Sequence, residues 1–415
     1  MSYPSRGAKL NRVVITGAAG ICPLGSSWAE IKMKLAAQEN CIHYMDAWDH
    51  YEDMNTRLAA PVLGFEVPSH YTRKRTRSMG RVSLLSVRAT ELALEQAGLI
   101  GHPVLTSGET GVSYGSATGS TDAALEFAQL LGMQSMKSLN ATTYVRMMSH
   151  TAAVNIDVFF GLKGRVIPTS SACTGGSQGI GYAYEAIKYG KQTVMVAGGA
   201  EELCPTESAV FDVLYATSTR NDEPHLTPRP FDRDRDGLVI GEGACTLILE
   251  DYEHARSRGA PVLAEIVGFG TNSDGQHVTR PNKTTMGGAL SLALRDAGLP
   301  PSEIGYVNAH GTATEHGDIA ETQATADVIG RPVPISSLKS YIGHTLGACG
   351  SLEAWMSIQM MNEDWYAPTI NLENVDERCG DLEYLNSPTS MENEYVMTNN
   401  FAFGGINTSL IFKRL

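Results

Sequence analysis

The sequence predicts an α/β protein built from two similar halves, and three observations lead to that prediction. Short apolar runs that end at glycine recur along the chain and alternate with helical patterns. The length of 415 residues exceeds what one hydrophobic core usually serves. Three short motifs also occur twice and in the same order. We therefore expect largely parallel sheets covered by helices.

The predicted strands are apolar runs, each followed by a turn that contains glycine. In chain order they are residues 12–16, 110–114, 194–197 and 264–267. The clearest helices show apolar residues at helical spacing, and they are residues 86–97 and 287–297. The run GAAG after the first strand lacks the G-x-G-x-x-G spacing, and Pro23 interrupts the helix that a dinucleotide site needs. Nucleotide binding is therefore not expected.

The internal repeat defines the predicted domains. Residues 168–173 resemble residues 334–339, residues 115–118 resemble 311–314, and VVITGAAG resembles AEIVGFG at 264–270. The run DYEHARSRGAP near residues 252–261 reads as a helix and a connection, which places the halves at residues 1–255 and 256–415. Because a duplicated fold brings equivalent loops face to face, Cys173 and Lys339 are expected to converge.

Composition and charge exclude several classes of protein. The net charge of -13 argues against a general nucleic-acid surface. No apolar segment reaches the roughly 18 to 20 residues of a membrane span, and the start MSYPSRGAKLNRVV lacks the apolar core of a signal peptide. The seven cysteines include no CxxC pair, which favours free thiols over disulfides or zinc. A cytoplasmic protein is expected.

Against this acidic background, residues 73–81 carry five basic side chains in nine positions. Two interpretations stay open for this run. It is either a solvated helix face or a docking patch for an acidic partner, with Arg73, Lys74 and Arg77 as its candidate contacts.

Cys173 is the first candidate for chemistry, because small residues surround it in SSACTGGSQG. Helical spacing after it places the thiol at a strand-to-helix turn, where free N–H groups and the helix dipole are expected to lower its pKa. The glycines would also let a substrate approach the sulfur. The alternative is an inert thiol in a tight turn.

Two histidines and a lysine stand in comparable glycine-rich loops of the second half. His310 follows an apolar strand in VNAHGTATEHGD, and His344 lies in SYIGHTLGACG. His316 is near His310, but no further residue completes a ligand set, so no metal is expected. A buried Lys339 would need a partner, for which Glu353 is the candidate.

Two further patterns follow from the same half of the chain. Asp318 and Glu321 have the spacing of a capping box, which predicts that they initiate a helix. The run NNFAFGGIN at 399–407 precedes the last predicted strand, 408–412, and its double glycine favours a mobile flap.

Together these motifs resemble the β-ketoacyl-acyl carrier protein synthases over nearly the whole chain, from RVVITGAAGICPLG to NTSLIF. The resemblance implies a thiolase-like α/β fold, with two related halves that each hold a five-stranded mixed sheet between helices. It also implies a dimer, an acidic carrier protein as partner, and no cofactor beyond the 4'-phosphopantetheine that the carrier brings.

The resemblance also implies roles for individual residues. Cys173 would take the acyl chain, and His310 and His344 would bind the malonyl thioester while carbon dioxide leaves. Lys339, paired with Glu353, would organise the histidines, and the N–H groups of Cys173 and Phe403 would bind the oxyanion. The implied substrate contacts are Thr312, Thr314, Thr118, Phe401, Gly404 and Gly405.

Departures from the usual motifs concern the substrate. The terminal loop has Ala402 and Ile406 where GFGGTN is common, and Thr118 stands where housekeeping enzymes often carry an apolar residue. At these positions the chain resembles the ketosynthases of polyene pathways, notably those of aryl polyene systems. Such systems also contain chain-length-factor partners, so a heterodimer is a second possibility beside the homodimer.

Other interpretations remain at this point. A coenzyme A-dependent thiolase would need a second active cysteine, and Cys349 is not in the CxG setting that such enzymes use. A non-catalytic partner subunit would lack the nucleophile, which is present. A cysteine protease conflicts with the motif order and the two halves.

Overall fold

A computed structural model describes residues 10–415, so residues 1–9 of the predicted first half lie outside the description. The strands of the first half are β1 Val13–Ile21, β2 His43–Tyr44, β3 Leu58–Ala60, β4 Thr110–Gly115, β5 Val166–Pro168, β6 Val194–Glu201, β7 Ile240–Gly241 and β8 Gly243–Asp251. Its helices are α1 Trp28–Ala37, α2 Arg73–Thr76, α3 Arg81–Gln96, α4 Thr121–Met133, α5 Thr143–Met147, α6 Thr151–Phe160, α7 Gly175–Lys188, α8 Pro205–Asp212 and α9 Tyr252–Ser257.

The second half continues the numbering. Its strands are β9 Ala264–Ser273, β10 Ile304–Asn308, β11 Pro334–Ser336, β12 Trp365–Tyr366, β13 Glu383–Tyr384, β14 Thr389–Ser390, β15 Tyr395–Ala402 and β16 Ile406–Lys413. Its helices are α10 Lys283–Ala297, α11 Glu315–Ile329, α12 Lys339–Ile342 and α13 Cys349–Asn362. Every predicted strand and helix is present.

The main sheet confirms that the two halves are duplicates. Its strand order is β13-β11-β10-β15-β16-β9-β1-β8-β6-β4-β5, and three antiparallel residue pairs join β1 to β9 at the middle. The five strands β1-β8-β6-β4-β5 and the five strands β9-β16-β15-β10-β11 have the same order and the same directions. Two equivalent five-stranded sheets therefore meet at β1 and β9, and β13 extends the second.

The sheets are mixed, as the family resemblance implies, so the expectation of largely parallel strands from the apolar runs alone is wrong. The last strand of each half, β8 or β16, lies between two antiparallel neighbours. Parallel pairing is confined to the outer strands of each half. Sequence patterns identify a strand by its apolar residues, and they do not reveal the direction of its neighbours.

The predicted strands stop at glycine, whereas the observed strands continue through it. A Cβ on Gly17 of β1 would lie 2.2 Å from the carbonyl oxygen of Ala93 on α3. A Cβ on Gly268 of β9 would lie 2.4 Å from the carbonyl oxygen of Ala293 on α10. These glycines allow a helix to approach its strand closely at equivalent places, which explains the repeated motif.

The helices α7 and α13 form a layer between the two halves, and most of their residues are buried. Each follows a short 3-10 turn, Ala172–Thr174 before α7 and Leu346–Ala348 before α13. The first residue of each turn has a positive φ, +50° at Ala172 and +43° at Leu346. The turn that carries Cys173 therefore corresponds to residues 346–348. The predicted match of residues 168–173 with residues 334–339 is wrong, because α12 lies between β11 and the second turn.

The outer faces of the sheet carry the remaining large helices. Helices α3 and α6 cover the first half through one apolar cluster, and α10 and α11 cover the second through another. Among residues 10–415, no helix has the length and apolar character needed to cross a membrane.

Candidate active site

A cavity of about 630 Å³ opens where the two halves meet beside the start of α7. Its wall includes residues from both halves, so neither half could form it alone. Eight of the predicted site residues lie on this wall: Cys173, His310, Thr312, Thr314, His344, Phe401, Phe403 and Gly405. Lys339, Glu353, Gly404 and Thr118 do not line it.

Cys173 lies in the 3-10 turn two residues before α7 begins, as predicted. Burial raises the pKa of Cys173 to about 11. The charge of Lys339 and the backbone N–H groups of Phe403 and Cys173 have the opposite, smaller effect. The predicted lowering is therefore wrong, because the cost of burying a thiolate exceeds what the helix start supplies.

His310 and His344 face each other near this thiol. Their ring centroids are 5.1 Å apart and the rings are perpendicular, at 89°. The Cys173 sulfur and one nitrogen of each ring lie within 4.8 Å of one another. Burial, and next the Lys339 charge, hold the pKa of both histidines well below its usual value, so both imidazoles are neutral at pH 7.

His344 has a further distinctive property. Neither of its ring nitrogens has a hydrogen-bond partner among the described residues, although the side chain is buried. Its backbone is fixed, because its N–H donates to Val239 at 2.7 Å and its carbonyl accepts from Gly241 at 2.9 Å. A fixed, buried imidazole without partners is costly unless it serves a ligand.

Lys339 and Glu353 form a buried ion pair behind the histidines, in agreement with the pairing expected from the sequence. The side-chain amide of Asn400 donates to the other Glu353 oxygen at 2.7 Å and lies 3.4 Å from His310 Nδ1. A chain of contacts thus links Lys339 to His310 through Glu353 and Asn400. Asn400 belongs to the run NNFAFGGIN that favoured a flap, but its contacts were not predicted, because it lies inside β15 and its partners are distant in the sequence.

Asp318 and Glu321 do not initiate a helix, so the capping-box prediction is wrong. Helix α11 begins earlier, and both carboxylates lie on its buried side. Glu321 accepts the N–H groups of His310 at 2.7 Å and Gly311 at 2.8 Å, and Asp318 accepts that of Ala313 at 3.2 Å. These carboxylates therefore hold the backbone of the His310 loop in place.

Among residues 10–415, two groups of buried residues have ligand atoms close enough together for a metal ion, namely Cys173 with both histidines, and His310 with Cys349 and Glu353. Their surroundings do not suit a cation. Lys339 already places a buried positive charge in contact with Glu353, and that charge also acts on both histidines and both thiols. The arrangement supports the expectation that the site holds no metal.

The predicted flap at 399–407 is mostly β-hairpin. Strands β15 and β16 leave only residues 403–405 as the turn, where Gly404 and Gly405 have φ of +89° and +72°. The Phe403 ring packs on Phe211 with centroids 5.0 Å apart, and the Gly404 N–H donates to Val278 at 2.7 Å. Phe403 thus packs against the apolar cluster that contains Cys173, and the two residues after it have backbone angles that glycine adopts easily.

Some basic side chains of residues 73–81 form contacts within the protein, and others do not. Arg75 donates to the Phe159 carbonyl at 2.8 Å, and Arg81 pairs with Glu242. Arg73, Lys74 and Arg77 are exposed and form no ion pair with a carboxylate of residues 10–415. The three residues predicted to contact a partner are therefore exposed and free of ion pairs within residues 10–415.

Comparison with known proteins agrees with this geometry. Residues 10–255 match the family described as the N-terminal domain of β-ketoacyl synthases, and residues 263–373 match its C-terminal domain. The chain is 40% identical to 3-oxoacyl-[acyl-carrier-protein] synthase 2 of Vibrio cholerae, over 97% of this chain and 99% of that protein.

Two solved structures are similar over nearly their whole length. A β-ketoacyl synthase from Burkholderia phymatum is 59% identical with a TM-score of 0.97, covering 98% of this chain and 100% of that one. The ishigamide ketosynthase/chain length factor is 29% identical with a TM-score of 0.89, at the same coverage.

Proposed function

The chain belongs to the β-ketoacyl synthase family and is an acyltransferase of the 3-oxoacyl-[acyl-carrier-protein] synthase type, and on that premise we propose that Cys173 carries the growing acyl chain. The observation that supports this assignment is the convergence of its sulfur with the two neutral imidazoles on one cavity wall. The N–H groups of Cys173 and Phe403 point toward the sulfur and form the oxyanion hole for the incoming thioester.

In the first step, the sulfur attacks the thioester of the acyl chain on its carrier protein. Cys173 is a neutral thiol at rest, since its pKa is about 11, so its proton must leave as the new bond forms. One ring nitrogen of His310 and one of His344 lie within 4.8 Å of the sulfur, so a neutral imidazole is placed to take this proton. The C–S bond to the carrier breaks as the acyl group passes to Cys173. The imidazole returns the proton to the leaving sulfur, so the carrier departs as a thiol and the imidazole is neutral again.

In the second step, the malonyl thioester binds with its carbonyl oxygen toward the two histidines. Each neutral imidazole has one N–H to donate, and such a preorganised donor is typically worth about 3 kcal/mol in the transition state. Carbon dioxide leaves, and the resulting carbanion attacks the carbonyl carbon of the acyl group on Cys173. The C–S bond to Cys173 then breaks, which releases the 3-oxoacyl thioester on its carrier, and the Cys173 sulfur takes up a proton to return to the thiol. Burial keeps both imidazoles neutral, and the charge of Lys339 reinforces this effect.

Apart from Thr118, the remaining predicted residues fit the path of the substrate. Thr312 and Thr314 lie on the cavity wall with their hydroxyls 2.9 Å apart, and we assign them to the pantetheine arm. Phe401 and Gly405 also face the cavity, and Gly404 supports the Phe403 turn, which we assign as the gate over the thiol. Delivery of the substrate by a carrier protein fits the predicted cytoplasmic location.

The test is to supply the enzyme with an acyl-carrier protein and malonyl-carrier protein and to identify products by mass spectrometry. We expect a 3-oxoacyl-carrier protein two carbons longer, with one carbon dioxide released. Exchange of acyl groups with acetyl-coenzyme A and no carbon dioxide would indicate a thiolase instead. That outcome is not expected, because Cys173 is the one cysteine among the described cavity-lining residues.

We further propose that the carrier protein docks on Arg73, Lys74 and Arg77. Replacing all three by alanine should raise KM for the carrier substrate roughly tenfold, with little change in kcat, because exposed charges chiefly guide encounter. The same variant should also lose much of its dependence on salt. Lys191→Ala is the matched control, since Lys191 is exposed beyond the opposite end of α7 from Cys173. Equal KM values for the triple variant and the wild type would refute the patch.

We propose a homodimer in which β5 of one copy lies beside β5 of the other. Strand β5 is at the edge of the sheet, and its Val166 is 41% exposed. Helix α4, which packs on α5, exposes Leu131 and Met133, which are 81% and 73% accessible. Unpaired edges and apolar faces of this kind favour association. Because the chain holds every proposed catalytic group, a copy of itself is a sufficient partner.

Sedimentation analysis of the purified chain should therefore give twice its mass of 44.6 kDa. Replacing Leu131 and Met133 by aspartate should shift it toward the monomer. A monomer that associates only with a chain-length-factor homologue would overturn the homodimer and support the alternative assembly.

A further inference from the structure

Two buried carboxyl groups beside the site have no part in the mechanism above. Glu201 ends β6 and Glu207 lies on α8, and their side chains are 0% and 3% exposed. The hydroxyl of Thr118 is within hydrogen-bond distance of both, 3.1 Å from Glu201 Oε1 and 3.0 Å from Glu207 Oε1. We call these three residues the acid cluster.

The number of protons in the acid cluster indicates that one carboxyl group is neutral. Thr118 has a single hydroxyl proton and can donate to only one of the two oxygens. The other contact requires a proton on the carboxyl group itself. Burial raises the pKa of both carboxyl groups, and for Glu207 the charge of Glu201 adds to this effect. Because Glu201 accepts several hydrogen bonds that favour its charged form, we assign Glu207 as the neutral acid.

The two carboxyl groups differ in how their hydrogen bonds are satisfied. Glu201 is held by the Ser116 hydroxyl at 2.9 Å, by the Ala117 N–H at 2.7 Å and by the Gly347 N–H at 3.1 Å. By contrast, Oε2 of Glu207 is buried and has no partner among residues 10–415. An unpaired buried acid costs stability, so it calls for a ligand or another explanation.

The acid cluster adjoins the apolar cluster that contains Cys173. That apolar cluster includes Phe211 and Leu346, with Ala117 and Leu203 packed against it. Three chain segments connect the two clusters. Ala117 precedes Thr118, Leu203 follows Glu201 by two residues, and Phe211 lies one helical turn after Glu207 on α8.

We propose that the acid cluster forms the far end of the acyl site and binds a hydroxyl group at the distal end of the acyl chain on Cys173. The aliphatic part of the chain then lies along the apolar cluster, and the terminal hydroxyl bonds to Oε2 of Glu207. This inference rests on the proposed role of Cys173 as acyl carrier. The substrate class is therefore a hydroxyl-terminated acyl thioester.

The experiment compares 8-hydroxyoctanoyl- and nonanoyl-carrier protein, whose acyl groups have the same number of heavy atoms. The pairs 6-hydroxyhexanoyl and heptanoyl, and 10-hydroxydecanoyl and undecanoyl, are run beside them to cover the reach of the pocket. Acylation of Cys173 is followed by mass spectrometry, and condensation by kcat/KM. In the pair of best length, we expect the hydroxylated chain to be favoured about tenfold, the effect of one desolvated hydrogen bond.

Variants of Glu207 separate the hydrogen bond from the shape of the pocket. Glu207→Gln retains hydrogen-bonding atoms and should keep the preference. Glu207→Leu should remove or reverse it while the enzyme still condenses the alkyl chain. If the leucine variant does not fold, Thr118→Val should cause the same loss of preference for the hydroxylated chain. Thermal melting shows whether each variant is folded.

The outcomes distinguish this inference from the proposed function. Equal kcat/KM for both members of every pair in the wild type, or a Glu207→Leu variant with an unchanged preference, would overturn the hydroxyl site and leave the function intact. Absence of any acyl group on Cys173 with every substrate would instead overturn the proposed function.

Discussion

Replacing Cys173 by alanine is expected to abolish 3-oxoacyl-carrier protein formation while the protein remains folded. The sulfur is the acyl acceptor, and no other cysteine is among the described residues of the cavity wall. Loss of an essential nucleophile typically lowers kcat by roughly 10⁴-fold or more. The fold should tolerate the change, because Cys173 lies in a turn among small neighbours such as Ala172 and Gly175. Mass spectrometry should also show no covalent acyl group on the variant.

A matched control for this prediction is Cys41→Ala. Cys41 is half-buried and lies away from the cavity wall, so its replacement should leave condensation near the wild-type rate. Full condensing activity in Cys173→Ala would contradict the assignment of the nucleophile. Loss of activity in both variants, with melting temperatures lowered alike, would point to a general structural effect.

Replacing Lys339 by methionine is expected to destabilise the protein by about 3–5 kcal/mol near pH 8. The change leaves Glu353 buried without its cation, and breaking one side of a buried ion pair typically has this cost. That is a large part of the roughly 5–15 kcal/mol that stabilises a typical domain. Urea denaturation at pH 8 measures the free energy of unfolding directly.

The pH dependence of the Lys339→Met variant has a definite sign. Burial already raises the pKa of Glu353 in the wild type, and loss of the lysine charge raises it further. The folded variant then binds more protons than its unfolded chain, so its stability falls as the pH rises above the usual pKa of a glutamate. We expect a smaller deficit at pH 5 than at pH 8.

Two controls make this prediction specific to the buried pair. The double variant Lys339→Met/Glu353→Gln removes both charges and should recover much of the loss. Lys32→Met breaks a surface pair with Glu363, and it should change stability little. A single Lys339→Met variant as stable as the wild type at pH 8 would show that Glu353 is not held as described.

The catalytic residues could be predicted from the sequence because each lies in a short motif with its own local signal. Cys173 and His344 stand in glycine-rich links before helices, and the repeated motifs indicate that such links from the two halves meet. The duplication predicts that the two links meet, and they do, although the presence of α12 means that Lys339 is not the residue equivalent to Cys173. The order of the motifs, rather than any single motif, indicated the duplication and the position of the site.

The parts that could not be predicted depend on burial and on distant contacts. The raised pKa of Cys173 results mainly from desolvation, which no neighbouring residue in the sequence reveals. Asn400 and Glu321 act through partners that are far away in the sequence or hidden on the inner side of a helix. Local spacing described Glu321 as a capping residue, whereas tertiary contact gave it a different role.

The first strand has an unusual consequence for the order in which the protein folds. Strand β1 pairs on one side with residues 244–251 and on the other with residues 264–266, so neither neighbour exists until most of the chain has been synthesised. At roughly 5–20 residues per second on the ribosome, β1 waits on the order of 10 to 50 s for these partners. Contacts of such long sequence separation also slow folding itself. We therefore expect the nascent first half to depend on chaperones until β9 emerges, and a chain cut near residue 255 to aggregate rather than fold.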